Sequence, residues 1–279
     1  MKINSDQNIV LISGGSSGIG RVIVEYLAQK GHKVYAGARK SEDIISLNSI
    51  PNVNGIQLDV TNQENIDSAI TLIKKNHEHI DVLINNAGIA GWGAVIDRDI
   101  NYFKKVMEVN VWGMIRLTQS CYHLLRKSRR FPIIFNISSQ GANYVFPFWA
   151  PYHISKYSVK AFSDALRREL IPHNIRVCDL QLGPFKSEAF SKQVDTLEEY
   201  KLKHTNSEFT PRMSKFFDKI VNNPNRKEKP PIIIAKLIEK LSSQKGYKVR
   251  YEPGKRRIAS MLLTRLPAKW VDYFISKMF

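Results

Sequence analysis

Cysteine is scarce in this chain of 279 residues: there are two, Cys121 and Cys178, and both fall within apparent core segments. A disulfide framework or a cysteine-rich metal site needs more ligands than two. A free thiol in a core segment acts as a small apolar group. We therefore expect neither a disulfide-stapled fold nor a bound metal.

Long apolar runs are also missing, and none approaches the roughly 18 residues of a membrane-spanning helix. Residues 1–8 are polar and run directly into an apolar strand, which is unlike a secretory signal. No fixed-period repeat or low-complexity tract occurs. These absences favour a cytoplasmic protein, and the length suits one α/β domain over residues 1–279.

Acidic residues are outnumbered, since 25 Asp and Glu stand against 42 Lys and Arg, a net charge of +17. Residues 226–279 hold 14 of the basic and 4 of the acidic residues, so more than half of the excess lies there. Such a basic face favours a nucleotide, an anionic membrane or nucleic acid as partner. The alternative is a solvated surface. Because the chain has no recognised nucleic-acid motif, we expect no nucleic acid.

Short apolar segments of strand length alternate with segments of helical periodicity. The predicted strands are 9–12, 33–38, 55–58, 81–84, 132–137 and 175–182, and the predicted helices include 19–30, 62–76, 101–127 and 151–170. This alternation predicts a parallel sheet covered by helices on both faces. We expect a doubly wound, Rossmann-type α/β fold of about seven strands.

The alternation stops at residues 185–225, which are polar, rich in Lys, Ser and Phe, and without a clear strand. They follow the carboxyl end of a strand, where ligands bind in open α/β sheets. We predict that this segment is a mobile substrate lid. A plain surface excursion is the alternative.

The first predicted strand ends in a glycine-rich turn, residues 13–20 (Ser-Gly-Gly-Ser-Ser-Gly-Ile-Gly). Glycine lets the backbone approach a pyrophosphate, and the following helix N-terminus offers free N–H groups to it. A turn of this kind directly after the first strand predicts a dinucleotide site. Its predicted cofactor contacts are Gly14, Ser16, Ser17, Gly18, Ile19 and Gly20.

The end of the second predicted strand indicates which dinucleotide is bound. A site for NAD usually has an acidic residue there for the ribose 2′-hydroxyl, but this strand ends in Arg39-Lys40. A guanidinium can bind a 2′-phosphate in bidentate fashion, and Lys40 adds positive charge. The pattern favours NADP(H). The alternative is that Arg39 lies in solvent without a ligand.

Tyr152 and Lys156 are four residues apart at the start of a predicted helix, so both project from one face. A neighbouring ammonium favours the phenolate and lowers the pKa of the tyrosine towards the range of acid–base catalysis. The pair Ser138-Ser139 ends the preceding strand, so it meets that helix start at the same edge of the sheet. We predict an acid–base site at this edge.

Taken together, these motifs resemble the short-chain dehydrogenase/reductase superfamily in its single-domain branch. The resemblance is close over residues 8–190 and looser beyond. The matching motifs occur in the family's order: Gly14, Gly18 and Gly20, Asp59-Val60, Asn85-Asn86-Ala87-Gly88, Asn110, Ser139, Tyr152 and Lys156. Thirteen positions separate Ser139 from Tyr152, the usual family spacing, so Ser139 rather than Ser138 is the expected catalytic serine.

The resemblance implies a role for each catalytic residue. Tyr152 would give a proton to the carbonyl oxygen during reduction or take it during oxidation, and Ser139 would hydrogen-bond that oxygen. Lys156 would hold the nicotinamide ribose and lower the pKa of Tyr152. Asn110 would anchor a water that links Lys156 to solvent.

For the cofactor, the resemblance implies that Asp59 contacts the adenine and that Asn86 and Ala87 line the adenosine ribose. The remaining implied contacts are Val60, Gly88, Gly183 and Phe185. Two segments depart from the family pattern. Ser13 replaces the usual threonine but keeps a hydroxyl, and residues 182–187 depart from the usual Pro-Gly, with Ser187 where threonine is common.

Four aromatic residues lie within six positions of the segment between Ser139 and Tyr152: Tyr144, Phe146, Phe148 and Trp149. This segment is expected to line the substrate cleft, where such a wall favours a flat or long lipophilic substrate. The alternative is that some of these rings pack at a subunit interface.

Residues 255–279 are predicted to form a basic, amphipathic C-terminal extension. Its apolar positions recur at helical spacing: Trp270, Val271, Phe274, Ile275, Met278 and Phe279. Lys255, Arg256 and Arg257 precede them. The stripe favours either peripheral contact with an anionic membrane, as in similar family members that act on steroids, retinoids and other lipids, or packing on the core or a partner subunit.

The motifs lead to one main hypothesis and two alternatives. The main hypothesis is an NADP(H)-dependent ketone or aldehyde reductase, or alcohol dehydrogenase, acting on a hydrophobic substrate. A homo-oligomer built on the long helices is the family expectation. The alternatives are a non-catalytic NADP-binding sensor or scaffold, and a nucleic-acid-binding protein with steeply salt-dependent affinity.

Overall fold

A computed structural model describes residues 7–186, 189–220, 228–253 and 265–277, with the backbone alone for residues 189–194. In this part of the chain, seven parallel strands form one sheet in the order β3-β2-β1-β4-β5-β6-β7. The strands are β1 Ile9–Ile12, β2 Lys33–Ala38, β3 Val53–Gln57, β4 Val82–Asn85, β5 Ile133–Ser139, β6 Arg176–Leu182 and β7 Arg250–Tyr251. The predicted doubly wound fold is confirmed.

Helices cover both faces of the sheet. They are α1 Gly18–Gln29, α2 Ser41–Asn48, α3 Gln63–His77, α4 Ile100–Met107, α5 Gly113–Arg126, α6 Ala150–Leu170, α7 Ala189–Lys203, α8 Phe209–Ile220, α9 Ile232–Ser242 and α10 Ala268–Ser276. A π-helical turn, Glu108–Trp112, joins α4 to α5 within the segment predicted as one long helix. Such turns are frequently found at functional sites.

The alternation of side chains along each strand divides the core into two layers. In β1, Val10 and Ile12 pack against α1, α2 and α9, whereas Ile9 and Leu11 pack against α3 and α5. Strand order reverses between β1 and β4, each of which continues outward on its own side. Ligands of open α/β sheets bind at the carboxyl ends of the strands beside such a reversal.

Residues 185–220 contain helices where the sequence showed only a polar stretch without strands. Leu197 and Tyr200 of α7 face Met213, Phe216 and Phe217 of α8, and all five are buried. Their spacing of three and four residues gives each helix one apolar side, which explains why this segment folds. Helices α7 and α8 are called the lid below, although the lid role itself stays a prediction.

Helix α10 carries the described part of the C-terminal extension. Trp270, Tyr273 and Phe274 are at least half exposed, and no residue of this helix is buried. The described residues of the stripe therefore add no side chain to the buried core. Residues 255–257, Met278, Phe279 and Ser187 lie outside the described residues. Among the described residues, no helix has the length and apolar character needed to cross a membrane.

Candidate active site

The end of β5 and the start of α6 bring Ser139 and Tyr152 together. The Ser139 Oγ accepts a hydrogen bond from the Gly141 N–H at 3.0 Å, which fixes the hydroxyl at the strand end. The Tyr152 side chain lies close to this hydroxyl. Burial raises the pKa of Tyr152, opposite to the lowering predicted from Lys156, and the neighbouring Ser139 hydroxyl offsets part of the rise. The tyrosine is therefore held as the protonated phenol, the form that donates a proton.

Lys156 lies one turn further along α6. Its Nζ is 5.6 Å from the centre of the Tyr152 ring and donates to the Ile137 carbonyl at 3.0 Å. Burial lowers the pKa of Lys156 to about 8, against the charge of Asp179, which raises it. An ammonium has three donors, so this buried cation can bind further hydroxyl groups beside the tyrosine.

Asn110 sits in the π-helical turn, where its carboxamide ties two segments together. Its Oδ1 accepts from the Ile89 N–H at 2.8 Å, and its Nδ2 donates to the Ile89 carbonyl at 2.9 Å and to Ser155 Oγ at 3.0 Å. Ser155 in turn donates to the Tyr152 carbonyl at 2.7 Å. Asn110 therefore positions the start of α6. Gly88 lies beside it, because a Cβ there would be 3.3 Å from Asn110 Oδ1.

The glycine-rich turn forms a cradle without side chains at the start of α1. Gly14 and Gly18 have φ of +66° and +54°, which L side chains rarely adopt. A Cβ at Gly20 would lie 2.1 Å from the Gly14 carbonyl oxygen. The first turn of α1 has no acidic residue, and Ser17 makes no side-chain cap. The backbone N–H groups of Gly18, Ile19 and Gly20 lack helical partners there, so the cradle fits a pyrophosphate.

A short network joins this turn to the end of β4. Asn86 Nδ2 donates to the carbonyls of Ser13 at 3.1 Å and Gly14 at 2.8 Å. The Ser13 hydroxyl accepts from the N–H groups of Asn86 and Ala87, both at 3.1 Å. The serine that replaces the usual threonine therefore uses its hydroxyl to hold these two residues at the strand reversal.

Arg39 and Lys40 are exposed at the carboxyl end of β2, on the side of the glycine turn. The turn is fixed to this strand because the Gly15 N–H donates to the Gly37 carbonyl at 2.8 Å. In the described part of the chain, neither Arg39 nor Lys40 forms an ion pair. Both side chains are therefore available to an anionic group beyond the turn.

Asp59 and Val60 follow β3, the neighbour of β2. Asp59 Oδ1 accepts from the backbone N–H and the hydroxyl of Thr61, at 2.9 and 2.8 Å. Val60 is buried and packs closely on Gly113, since a Cβ added to this glycine would lie 2.5 Å from the Val60 side chain. Asp59 is thus a fixed polar group at the same sheet edge as Arg39.

Gly183 lies at the end of β6, where a Cβ would be 3.1 Å from Gln140 Oε1. The Phe185 side chain is buried in the core layer with Ile234 and Ile238 of α9. The structure therefore keeps this side chain out of the site, and a contact of Phe185 with a cofactor must use its main chain.

His153 is a site residue that the sequence did not single out. Its Nδ1 lies 2.8 Å from the Gly141 carbonyl, and its Nε2 accepts from the Phe146 N–H at 3.1 Å. These partners assign a neutral imidazole protonated on Nδ1, and burial lowers its pKa. The ring fastens the aromatic segment to α6. Nothing in a lone histidine beside a tyrosine distinguishes this role in the sequence.

The aromatic segment lies between Tyr152 and the lid. Trp149 stacks at 5.8 Å on Tyr152 and at 4.3 Å on Trp92, and Trp92 contacts Phe217 of the lid edge-on at 4.8 Å. Phe146 contacts Phe216 at 5.8 Å. A continuous and largely buried aromatic cluster therefore connects the acid–base groups to the lid of the same chain.

Known proteins resemble this chain in sequence and fold. The family model for short chain dehydrogenases matches residues 8–198. The chain is 33% identical over 265 residues to a probable short-chain type dehydrogenase/reductase, VdlC, of Helicobacter pylori, with 95% of each covered. It is 35% identical over 179 residues to a 3-ketodihydrosphingosine reductase of Bacteroides thetaiotaomicron, with 64% of each covered. A solved actinorhodin polyketide ketoreductase with NADPH aligns at TM-score 0.76 and 25% identity, over 91% of this chain and 98% of that one.

Proposed function

The chain belongs to the short chain dehydrogenase family, and on that premise we propose that it is an NADP(H)-dependent oxidoreductase of lipophilic carbonyl compounds and alcohols. The observation that carries the proposal is the set of Ser139, Tyr152 and the buried Lys156 beside a glycine cradle. Members of this family bind a nicotinamide cofactor, and the cradle, the cation on α6 and the polar strand ends suit one.

The preference for NADP(H) rests on the end of β2. Arg39 and Lys40 are exposed there, and no carboxylate occupies the position that would bind an unphosphorylated ribose. A guanidinium forms charge-assisted hydrogen bonds with phosphate oxygens. The 2′-phosphate of NADP(H) would supply the anion that these two side chains lack. The NADPH bound by the polyketide ketoreductase supports the same choice.

The proposed mechanism places the proton on Tyr152 and the hydride on the cofactor. When bound, the nicotinamide supplies or accepts the hydride at the carbonyl carbon. During reduction, Tyr152 donates its phenolic proton to the carbonyl oxygen, and Ser139 donates a hydrogen bond to that oxygen. The Lys156 ammonium stabilises the resulting phenolate. During oxidation, the phenolate takes the proton back from the alcohol.

A lipophilic substrate is favoured by the surface around Tyr152. Trp149 stacks on this tyrosine and, with Phe146 and Phe148, is only partly buried, while Trp92 and the buried rings of the lid support it from behind. Burial of an apolar substrate on such a surface provides binding energy without directional contacts. One relative is named as a 3-ketodihydrosphingosine reductase, an enzyme whose substrate is also a lipophilic ketone.

The expected assembly and location follow from the exposed apolar helices. We propose a homo-oligomer, because α5 and α6 border a groove of about 540 Å³ that includes Tyr122, Phe162 and Leu166. Light scattering of the purified protein should therefore give a mass at least twice 32.0 kDa.

Peripheral membrane contact of a cytoplasmic protein through α10 is proposed from the exposed Trp270 and Phe274.

The function is tested by NADPH consumption with a panel of long-chain, aromatic and small carbonyl compounds, run in parallel with NADH. Turnover with NADPH on lipophilic members is expected. Preference for NADH would contradict the cofactor assignment. Tight NADPH binding without turnover in either direction would favour a non-catalytic sensor instead.

A further inference from the structure

A buried arginine without an anionic partner lies at the seam between the lid and the sheet domain. Arg98 follows the loop after β4 and is 8% exposed, yet its Nε and Nη2 have no hydrogen-bond partner. Its guanidinium stacks on Tyr102 of α4 at 3.6 Å and lies 5.3 Å from the ring of Tyr200 in α7. The cation is therefore held by two aromatic rings, one from each side of the seam.

The carboxylates nearest to Arg98 are engaged elsewhere. Asp97 accepts hydrogen bonds from Tyr200 at 2.6 Å and from Ser207. Glu199 accepts from Lys203 at 2.7 Å, and this bond is the main reason that its pKa lies below the usual value, with a lesser effect of Arg98. In the described part of the chain, no ion pair includes Arg98.

Another buried arginine shows how the same fold compensates such a charge with backbone carbonyls, although its Nε also has no hydrogen-bond partner. Arg176 is 9% exposed, and it donates to the carbonyls of Leu241 at 2.9 Å, Gln244 at 2.6 Å and Phe131. Burying a charge is costly unless partners compensate it, and cation–π contact returns only part of that cost. Because Nε and Nη2 of Arg98 have no hydrogen-bond partner, an anion would supply the compensation that these two groups lack.

The position of Arg98 connects it to the acid–base site. A Cβ on Gly91 would lie 3.1 Å from Pro151, which precedes Tyr152, and 3.3 Å from Tyr102, on which Arg98 stacks. On its other side, Tyr200 belongs to the aromatic surface of the lid. The guanidinium therefore lies against the same buried aromatic cluster that Trp149 connects to Tyr152.

We propose that Arg98 binds an anionic end group, a carboxylate or a phosphate, of the lipophilic substrate. This inference rests on the proposed function, since it assumes that the carbonyl lies at Tyr152. It narrows the substrate class to chains with an oxo or hydroxyl carbon at one end and an anion at the other. The Arg98 guanidinium, the Tyr102 ring and the lid would then enclose the anion together.

Binding can be measured without any reaction. Isothermal titration of the NADPH-loaded protein would compare decanoic acid, decyl phosphate and methyl decanoate. Because hydrogen bonds to charged groups are stronger than neutral ones, the acid or the phosphate is expected to bind about 10-fold to 100-fold more tightly than the ester. The tighter of the two anions identifies the group. Equal affinities for all three ligands would overturn the proposal.

Variants separate ligand binding from a structural role. Arg98→Met is expected to lose the preference for the anion and to keep or raise the unfolding temperature, because it removes a buried unpaired charge. Arg98→Lys should keep part of the preference. The matched control is Arg126→Met, an exposed arginine stacked at 5.8 Å on Tyr122 of α5, which should change neither quantity. A large fall in the unfolding temperature of Arg98→Met with the preference intact would contradict the inference.

Turnover distinguishes failure of this inference from failure of the proposed function. If a long-chain oxo acid and its methyl ester are reduced equally well, and Arg98→Met leaves that ratio unchanged, the inference fails while the reductase function stands. If the anion binds through Arg98 but no carbonyl compound is reduced, the proposed function fails and the anion site stands.

Discussion

The sheet edge and the lid meet at the same site but are built in different ways. At the sheet edge, polar groups of the acid–base site have backbone partners, as with Ser139 and Gly141 or Lys156 and Ile137. In the lid, apolar rings such as Phe217 provide the contacts. Under the proposed function, strand ends and hydrogen bonds would set the geometry of the reaction, whereas the apolar side chains beside them would select the substrate.

With the acid–base set left intact, the largest effect should come from truncating aromatic core residues. Phe135 of β5 and Phe217 of the lid are both fully buried. Phe135→Ala should lower the free energy of unfolding by about 3–5 kcal/mol. Phe217→Ala should lower it less, because the lid can open without global unfolding, and should instead raise KM for lipophilic substrates. Chemical denaturation measures the free energy of unfolding, and steady-state kinetics measure KM. Equal destabilisation by the two substitutions would contradict the distinction between the sheet domain and the lid.

The next largest effect concerns the cofactor end of the sheet. Arg39→Asp should weaken NADPH binding by about 10-fold to 100-fold and improve NADH binding, because it replaces a phosphate-binding cation with a carboxylate. Arg129→Asp, an exposed arginine in the loop before β5, is the matched control and should leave both affinities unchanged. An unaltered preference in Arg39→Asp would remove the basis for assigning NADP(H).

A smaller effect is expected in the pH profile. The pKa of Lys156 is about 8 because burial lowers it, so kcat/KM should be constant below that value and fall above it as the ammonium loses its proton. Asp179 raises this pKa, so Asp179→Asn should move the fall to lower pH. Asp164→Asn removes the other carboxylate that binds Arg250 and is the control. An unmoved profile in Asp179→Asn would contradict this coupling.

The smallest effect on stability is expected at the C-terminal helix. Replacing Trp270 and Phe274 with serine should change the free energy of unfolding by less than about 0.5 kcal/mol, since both are exposed. The same double variant should sediment less with vesicles of anionic lipid if α10 contacts membranes. Unchanged sedimentation would remove that proposal and leave a partner subunit as the occupant to test.

The sheet domain was predictable because its local patterns agree with its tertiary environment. The predicted strands 9–12 and 33–38 have the same first and last residues as β1 and β2, because turn residues flank these apolar runs. Helix α2 and the two-residue strand β7 were missed, because each is too short for a clear periodicity.

The site was predictable only where residue spacing carries the chemistry. The distance between Tyr152 and Lys156 along the chain places both on one face of α6, and the structure brings Ser139 to them. The role of His153 and the role proposed for Arg98 depend on burial and on partners distant in sequence, which a single sequence does not reveal. The burial of the Phe185 side chain in the core could not be predicted either, because it depends on contacts that are distant in sequence.

The central claim is that Tyr152 transfers the proton during reduction of a lipophilic carbonyl compound with NADPH. It is tested most directly by measuring NADPH consumption and NADPH binding for the native protein and Tyr152→Phe. Loss of the phenolic proton should lower kcat by about 10²-fold to 10⁴-fold, with the affinity for NADPH retained. Turnover of Tyr152→Phe at the native rate would contradict the account.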